Sequence, residues 1–343
     1  MAEAGTAPQS GAWSTEGATD LLAAVNVSCR FPIRLGALFA SRRALIAVDR
    51  VSLTLRLHEI VALVGESGSG KSTLGRLLLG LTVPSGGQVR YRGENIADLS
   101  GEPRQEYRRE VQVVFQDSGA AFNPRRSIGE AIMTPLRYNG ALDAGLARSQ
   151  ADALLDRVGL APDTFRYRFP HELSGGQRQR AGLARALASK PRVIIADEPV
   201  SALDVSMRAQ ILTLLRDLKR SDGLACLLIT HDLNVVRAVA DRVVVMYLGA
   251  IMEEGRARHV MAAPAHPYTR ALLAATPIAD PDRRAARPTR FVIGESASAA
   301  SLPSGCRFRT RCPHAVPLCA EREPKLRQVG HGGRAACHFD LSP

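Results

Sequence analysis

Residues 60–73 read Ile60-Val61-Ala62-Leu63-Val64-Gly65-Glu66-Ser67-Gly68-Ser69-Gly70-Lys71-Ser72-Thr73, an apolar run that breaks into glycines, a lysine and two hydroxyls. Five consecutive apolar residues closed by glycine predict a buried strand. The pattern GxxxxGK[ST] directly behind it predicts a turn that cradles phosphate. Glycines let successive backbone N–H groups converge on an anion without Cβ clashes. A helix opening near Gly70 adds the positive end of its dipole. Lys71 then reaches the β- and γ-phosphates, and the Ser72 hydroxyl takes a Mg²⁺ position. The bare pattern arises by chance in roughly one chain in a hundred of this length, so the strand before it and the helix after it decide the matter. The chain binds a nucleotide, and its fold class is α/β.

Two later stretches say what kind of nucleotide protein this is. Leu173-Ser174-Gly175-Gly176-Gln177 opens a helical pattern that continues to Leu187. Ser174 is placed to cap that helix, whose start can bind a second anion. Val193-Ile194-Ile195-Ala196-Asp197-Glu198 then reads as a buried strand ending in adjacent carboxylates. Such a strand delivers its last side chains to the carboxyl edge of a parallel sheet, where open α/β sheets bind their ligands. Asp197 can hold the Mg²⁺ shell, and Glu198 can polarise a water against the γ-phosphate.

In this order and spacing, the residues resemble the ATPase subunits of ABC transporters. Gly65 to Thr73 resembles the Walker A loop, with Gly65, Glu66, Ser67, Gly68, Ser69, Gly70, Lys71, Ser72 and Thr73 as the nucleotide-contacting set. Ser174, Gly175, Gly176 and Gln177 resemble the family signature. Asp197 resembles the Walker B acid and Glu198 the catalytic glutamate. Gln116 resembles the Q-loop glutamine, a further Mg²⁺ contact, and His231 the switch histidine. Asp204 in Ser201-Ala202-Leu203-Asp204 resembles the D-loop acid, and Phe31 the aromatic residue that stacks on adenine.

The resemblance spans roughly residues 20 to 270. It implies an ABC-type P-loop NTPase with a mixed sheet core, an antiparallel β subdomain and a helical subdomain over about 118–190. It also implies two subunits facing head to tail, each ATP held between the Walker A loop of one and the signature helix of the other. In relatives, the segment matching Asp117 to Arg126 contacts a cytoplasmic helix of the membrane subunit. The expected layout is a disordered segment 1–19, an ATPase domain 20–260 and a C-terminal extension 261–343. Val51-Ser52-Leu53-Thr54-Leu55 alternates in character and is expected to pair with later strands such as Gln88-Val89-Arg90-Tyr91. His58 stands at a turn where relatives carry glycine.

The extension narrows the resemblance. His266-Pro267-Tyr268-Thr269-Arg270-Ala271-Leu272 and Gly305-Cys306-Arg307-Phe308-Arg309-Thr310-Arg311-Cys312-Pro313 are similar to the tail of oligopeptide and dipeptide importer ATPases. Phe122-Asn123-Pro124 fits the same branch. The branch implies two transmembrane permease subunits, a second and different ATPase subunit and an extracytoplasmic substrate-binding protein. It places the chain at the cytoplasmic face of the inner membrane. Nickel importers share much of this tail, so another small solute remains an alternative, as does a soluble ABC ATPase.

Six cysteines divide into two groups. Cys29 and Cys226 lie in apolar surroundings and read as core. Cys306, Cys312, Cys319 and Cys337 follow one another at gaps of five, six and seventeen residues. Disulfides are disfavoured in a cytosol, and four thiolates suffice for Zn²⁺ or a [4Fe–4S] cluster. Both readings stay open beside free structural thiols, with His314, His331 and His338 as substitute ligands.

The net charge of +12 has its excess largely after residue 255, where a basic tail suits anionic headgroups. No nucleic-acid recognition module accompanies it. No apolar run approaches the roughly 20 residues that span a bilayer. Met1 to Pro8 has neither the basic nor the apolar region of an export signal.

Overall fold

The computed structural model describes residues 20–34, 42–116, 122–140, 142–201, 203–276, 301–330 and 332–339. The expectations for residues 1–19, 117–121, 202 and His331 fall outside them.

The chain begins with two long strands, β1 (Asp20–Arg34) and β2 (Arg42–Arg56), then β3 (Ile60–Val64) and α1 (Lys71–Leu78). β4 (Gly86–Tyr91), β5 (Glu94–Asn95) and α2 (Gly101–Glu110) follow. β2, β1, β4 and β5 form, in that order, an antiparallel sheet. Val51–Leu55 therefore pairs with β1 rather than with Gln88–Tyr91: β1 lies between the two, Leu22 opposite both Leu55 and Tyr91. Alternation reports that a strand has two unlike faces and carries no information about its neighbour.

Next come β6 (Val111–Val114), α3 (Ile128–Gly140), α4 (Ala144–Arg157), α5 (Pro162–Phe165) and α6 (Gly175–Leu187). Helix starts are written into the sequence. Ser127 and Glu130 exchange hydrogen bonds at the head of α3, and Asp143 accepts from Leu146 N at the head of α4. The chain continues with β7 (Val193–Asp197), α7 (Val205–Ser221), β8 (Ala225–Ile229), α8 (Leu233–Val239) and β9 (Arg242–Tyr247). It closes with β10 (Ala250–Arg256), α9 (Ala257–Ala262), α10 (Pro267–Ala275), α11 (Leu318–Glu321), β11 (Arg327–Gln328) and β12 (Arg334–Ala335).

The central sheet runs β11-β12-β10-β9-β3-β8-β7-β6. Its β9-β3-β8-β7-β6 part is parallel and its β10-β12-β11 edge antiparallel. Successive side chains point to opposite faces, and the core clusters obey this. Val193, Ile195, Ala225, Leu227 and Ile229 pack toward α1 and the antiparallel sheet. Ile194, Ala196, Cys226 and Leu228 pack toward the helices between β6 and β8. A third cluster joins Val64, Val245 and Tyr247 to Tyr268, Cys306, Phe308 and Cys319 of the extension. The extension is thus seated on the sheet end that carries the glycine-rich loop. Among the described residues no helix is long and apolar enough to cross a membrane.

Candidate functional site: a nucleotide half-site

β3 is wholly buried and delivers the chain to Gly65 at the carboxyl edge of the sheet. A Cβ on Gly65 would stand 2.2 Å from the Met246 carbonyl oxygen, so only glycine lets the loop leave this close to β9. Gly70 has φ 100° and a Cβ there would meet the Ala47 carbonyl at 2.1 Å, so the turn into α1 also requires glycine. Ser67 and Gly68 are exposed at the tip, while Lys71 is 8% exposed. Lys71 Nζ donates to the carbonyls of Gly65 (2.7 Å) and Glu66 (2.8 Å) and to Ser69 Oγ at 3.2 Å. Burial pushes the ammonium below its ordinary value, opposed by the carboxylates of Glu198, Asp197 and Glu66. The cation is thus stored inside its own loop, where phosphate oxygens can replace the carbonyls.

Asp197 ends β7 beside this loop. Burial raises its carboxyl, opposed by a hydrogen bond from Ser72. The two oxygen groups that would hold Mg²⁺ are therefore already adjacent. That fits an ion that keeps waters and takes only one or two protein ligands besides phosphate. Glu198 follows at φ 46°, its N–H donating to Ile229 O at 2.9 Å. Its carboxylate is held from both sides. Gln116 Nε2 donates to Oε2 at 3.1 Å, and His231 Nδ1 lies 2.8 Å from Oε1. Opposite a carboxylate, Nδ1 must carry the ring proton. Gln116, Glu198 and His231, far apart in the chain, thus converge at the ends of three neighbouring strands.

The signature stands at the head of α6. Ser174 Oγ accepts from Gln177 N at 3.3 Å and Gln177 Oε1 from Ser174 N at 2.9 Å, a capping box. Ser174 and Gly175 are exposed. A Cβ on Gly176 would come within 2.8 Å of Leu203 Cδ2, which ties the signature to the segment before α7. Asp204 caps α7 through Met207 N at 2.8 Å, so its carboxylate is engaged in holding a helix. Phe31 is 41% exposed on β1, opposite Leu45. His58 does occupy a left-handed turn at φ 59°, anchored by Nδ1 at 3.0 Å from the Lys219 carbonyl.

Cys29 and Cys226 are buried, and desolvation pushes the Cys226 thiol up to about 12. Cys306, Cys312, Cys319 and Cys337 line one small cavity with His314 and His338. Burial raises the thiols of Cys312 and Cys337 and takes Cys306 up to about 11. The donors suit a soft metal, yet among the described residues no three His, Cys, Asp or Glu are grouped to hold a single ion.

Two residues at the site were not singled out from sequence. Tyr268 Oη accepts from the Glu66 backbone N–H at 2.9 Å. Arg311 clasps the Glu66 carboxylate, Nη1 to Oε2 at 2.8 Å and Nη2 to Oε1 at 2.9 Å. The signal was an acid inside an anion-binding loop, which demands a cation from somewhere else in the chain.

The ABC transporter family matches residues 48–201, and the oligopeptide/dipeptide transporter C-terminal region matches residues 252–319. The dipeptide transport ATP-binding protein DppF of Haemophilus influenzae is 44% identical over 323 residues, 94% of this chain and 98% of its own. The oligopeptide transport ATP-binding protein AppF of Bacillus subtilis is 44% identical over 311 residues, 90% of this chain and 94% of its own. Among solved structures, a dimeric post-hydrolysis state of the ATP-binding cassette MJ0796 bound to ADP and Pi is similar with a TM-score of 0.62. It is 31% identical, covering 69% of this chain and 99% of its own. With a phosphate loop, a signature cap and a carboxylate held between glutamine and histidine, the chain belongs to the ATP-binding subunits of ABC transporters, in the branch that carries the oligopeptide/dipeptide transporter C-terminal region.

Proposed function

We infer that this chain hydrolyses ATP to power the import of oligopeptides or dipeptides through partner membrane subunits. The observation that carries the reading is Glu198, gripped by Gln116 and His231 one residue beyond the Ser72–Asp197 pair. Phosphoryl transfer to water needs positioning and charge neutralisation more than covalent chemistry. Lys71 leaves its carbonyls for the γ-phosphate. Ser72 and Asp197 are the residues that would hold Mg²⁺, which would supply further charge neutralisation. Glu198 orients the attacking water, and His231 keeps the carboxylate and the γ-phosphate in register. The exposed loop tip at Ser67 and Gly68 and the exposed cap at Ser174 and Gly175 support a composite site completed by a second ATPase subunit. Phe31 is the adenine platform in this reading, and Asp204 faces the partner across the dimer.

The peptide substrate rests on the names of the relatives and the C-terminal region shared with them. The assembly is two permease subunits, a heterodimer of ATPases and an extracytoplasmic substrate-binding protein, with this chain peripheral on the cytoplasmic face. Purifying the Glu198→Gln form from native membranes with ATP tests it. Two membrane-spanning subunits and a second ATPase are expected alongside. Recovery with ribosomes or DNA overturns the transport role.

The four tail cysteines are proposed as ligands of a metal centre, an iron–sulfur cluster ahead of zinc. What supports this is one cavity shared by four thiols; a cluster, being larger than one ion, takes more widely spaced thiolates than zinc does. Iron, sulfide and zinc analysis of anaerobically purified protein is expected to find stoichiometric metal. Folded, metal-free protein removes the proposal.

A further inference from the structure

We propose that Arg311 and Tyr268 are positioning residues of the nucleotide site, gripping Glu66 so that the phosphate loop keeps its shape and its one carboxylate is neutralised before a polyphosphate arrives. Glu66 is fixed at three points. Its N–H donates to Tyr268 Oη at 2.9 Å, its carbonyl accepts from Lys71 Nζ at 2.8 Å, and its carboxylate is clasped by both Arg311 nitrogens. The first and third holds come from the extension, 202 and 245 positions further along the chain.

The clasp is built rather than incidental. The Arg311 side chain is 10% exposed, and its guanidinium lies 5.7 Å from the Tyr247 ring centroid and 5.8 Å from that of Phe308. Nη1 also donates to Tyr247 Oη at 3.3 Å. Tyr268 and Phe308 are fully buried, their centroids 5.3 Å apart, with Tyr247 4.7 Å from Tyr268. Three aromatic rings thus hold the hydroxyl and the guanidinium that meet residue 66. Exposed ion pairs contribute little, but a bidentate pair walled by aromatics restricts both partners.

Charge explains why the grip bears on ATP rather than on stability alone. Glu66 lies in the loop that must accept several phosphate charges. An unpaired carboxylate there repels them, and a paired one does not. Losing Arg311 therefore frees the loop and exposes a like charge to the ligand. Both effects weaken binding, and the second grows with the number of phosphates.

Equilibrium binding of Mg-ATP, Mg-ADP and adenosine to the full-length chain tests the proposal, with thermal unfolding in parallel. Arg311→Ala is expected to weaken ATP binding roughly 3- to 30-fold. The loss should be smaller for ADP, absent for adenosine, and reduced between about 50 and 500 mM salt. Arg311→Lys restores part of the affinity, because it returns the charge without the fork. In a Glu66→Gln background the Arg311→Ala penalty should fall below about threefold. Tyr268→Phe removes only the acceptor for the Glu66 N–H and should weaken all phosphate ligands alike. A lowered unfolding midpoint with ATP affinity within twofold of wild type overturns the proposal, as does a penalty equal for ATP and adenosine. Should Arg311→Ala not fold, Arg311→Lys and Tyr268→Phe decide, and wild-type affinity in both overturns it.

Discussion

Glu198 sits in the left-handed region at φ 46°, a conformation that costs a non-glycine residue about 1 kcal/mol. Four neighbours hold it there: Ile229 and Ser201 through the backbone, and Gln116 and His231 through the carboxylate. Glu198→Gln keeps the side chain's shape and removes the charge that activates water. Steady-state phosphate release should fall about 10²- to 10⁴-fold while ATP binding is retained; near-normal turnover would remove Glu198 from its role. The residues that make this centre were legible because each sits in a local pattern: Lys71 after glycines, Glu198 at a strand end, Ser174 before a helix. Arg311 and Tyr268 were not. Their meaning depends on Glu66, more than 200 positions away, and nothing local marks one arginine among many as the partner of one acid.

At the scale of elements, helix heads were readable and strand neighbours were not. A cap is a contact over two or three residues, as with Ser174 and Gln177. The insertion of β1 between β2 and β4 depends on long-range pairing that alternation does not encode. α10 shows what a short motif can hold. His266 Nδ1 accepts from Tyr268 N at 3.0 Å, and the backbone N–H groups of Ala265 and His266 donate to the buried Glu253 carboxylate. Burial holds the His266 imidazole down to about 4, from an ordinary 6.5. The folded chain therefore keeps the ring neutral where the unfolded chain already takes a proton. His266 leaves stability unchanged above pH 6.5 and removes it progressively as pH falls from 6.5 toward 4. The loss from this group is about 2 kcal/mol by pH 5 and on the order of 3 kcal/mol by pH 4. Thermal midpoints at pH 7 and pH 5 check this against His266→Asn, which retains a cap acceptor. The variant should lose less on acidification; equal losses would show that the ring does not titrate between the two states.

Across the whole molecule, the central sheet divides the interior into clusters on its two faces, and the extension adds a third at the end that carries the phosphate loop. β12 pairs with β10 through Glu253–Ala335 and Glu254–Arg334, covering what would be an open sheet edge. Arg307, Arg311 and Arg334 each pair with an acid earlier in the chain: Asp49, Glu66 and Glu254. The basic tail that composition offers to lipid is thus partly turned inward. Composition counts charges and cannot say which are matched inside the fold. The pairings with Tyr268 and Arg311 have a consequence for the order in which the protein is made. A ribosome releases residues in sequence, so the glycine-rich loop emerges long before the two side chains that steady it. A nascent chain cut short ahead of residue 268 would contain every glycine of the loop and neither anchor. On the proposed role of those two anchors, the loop reaches its full affinity for nucleotide only after the C-terminal part has been made.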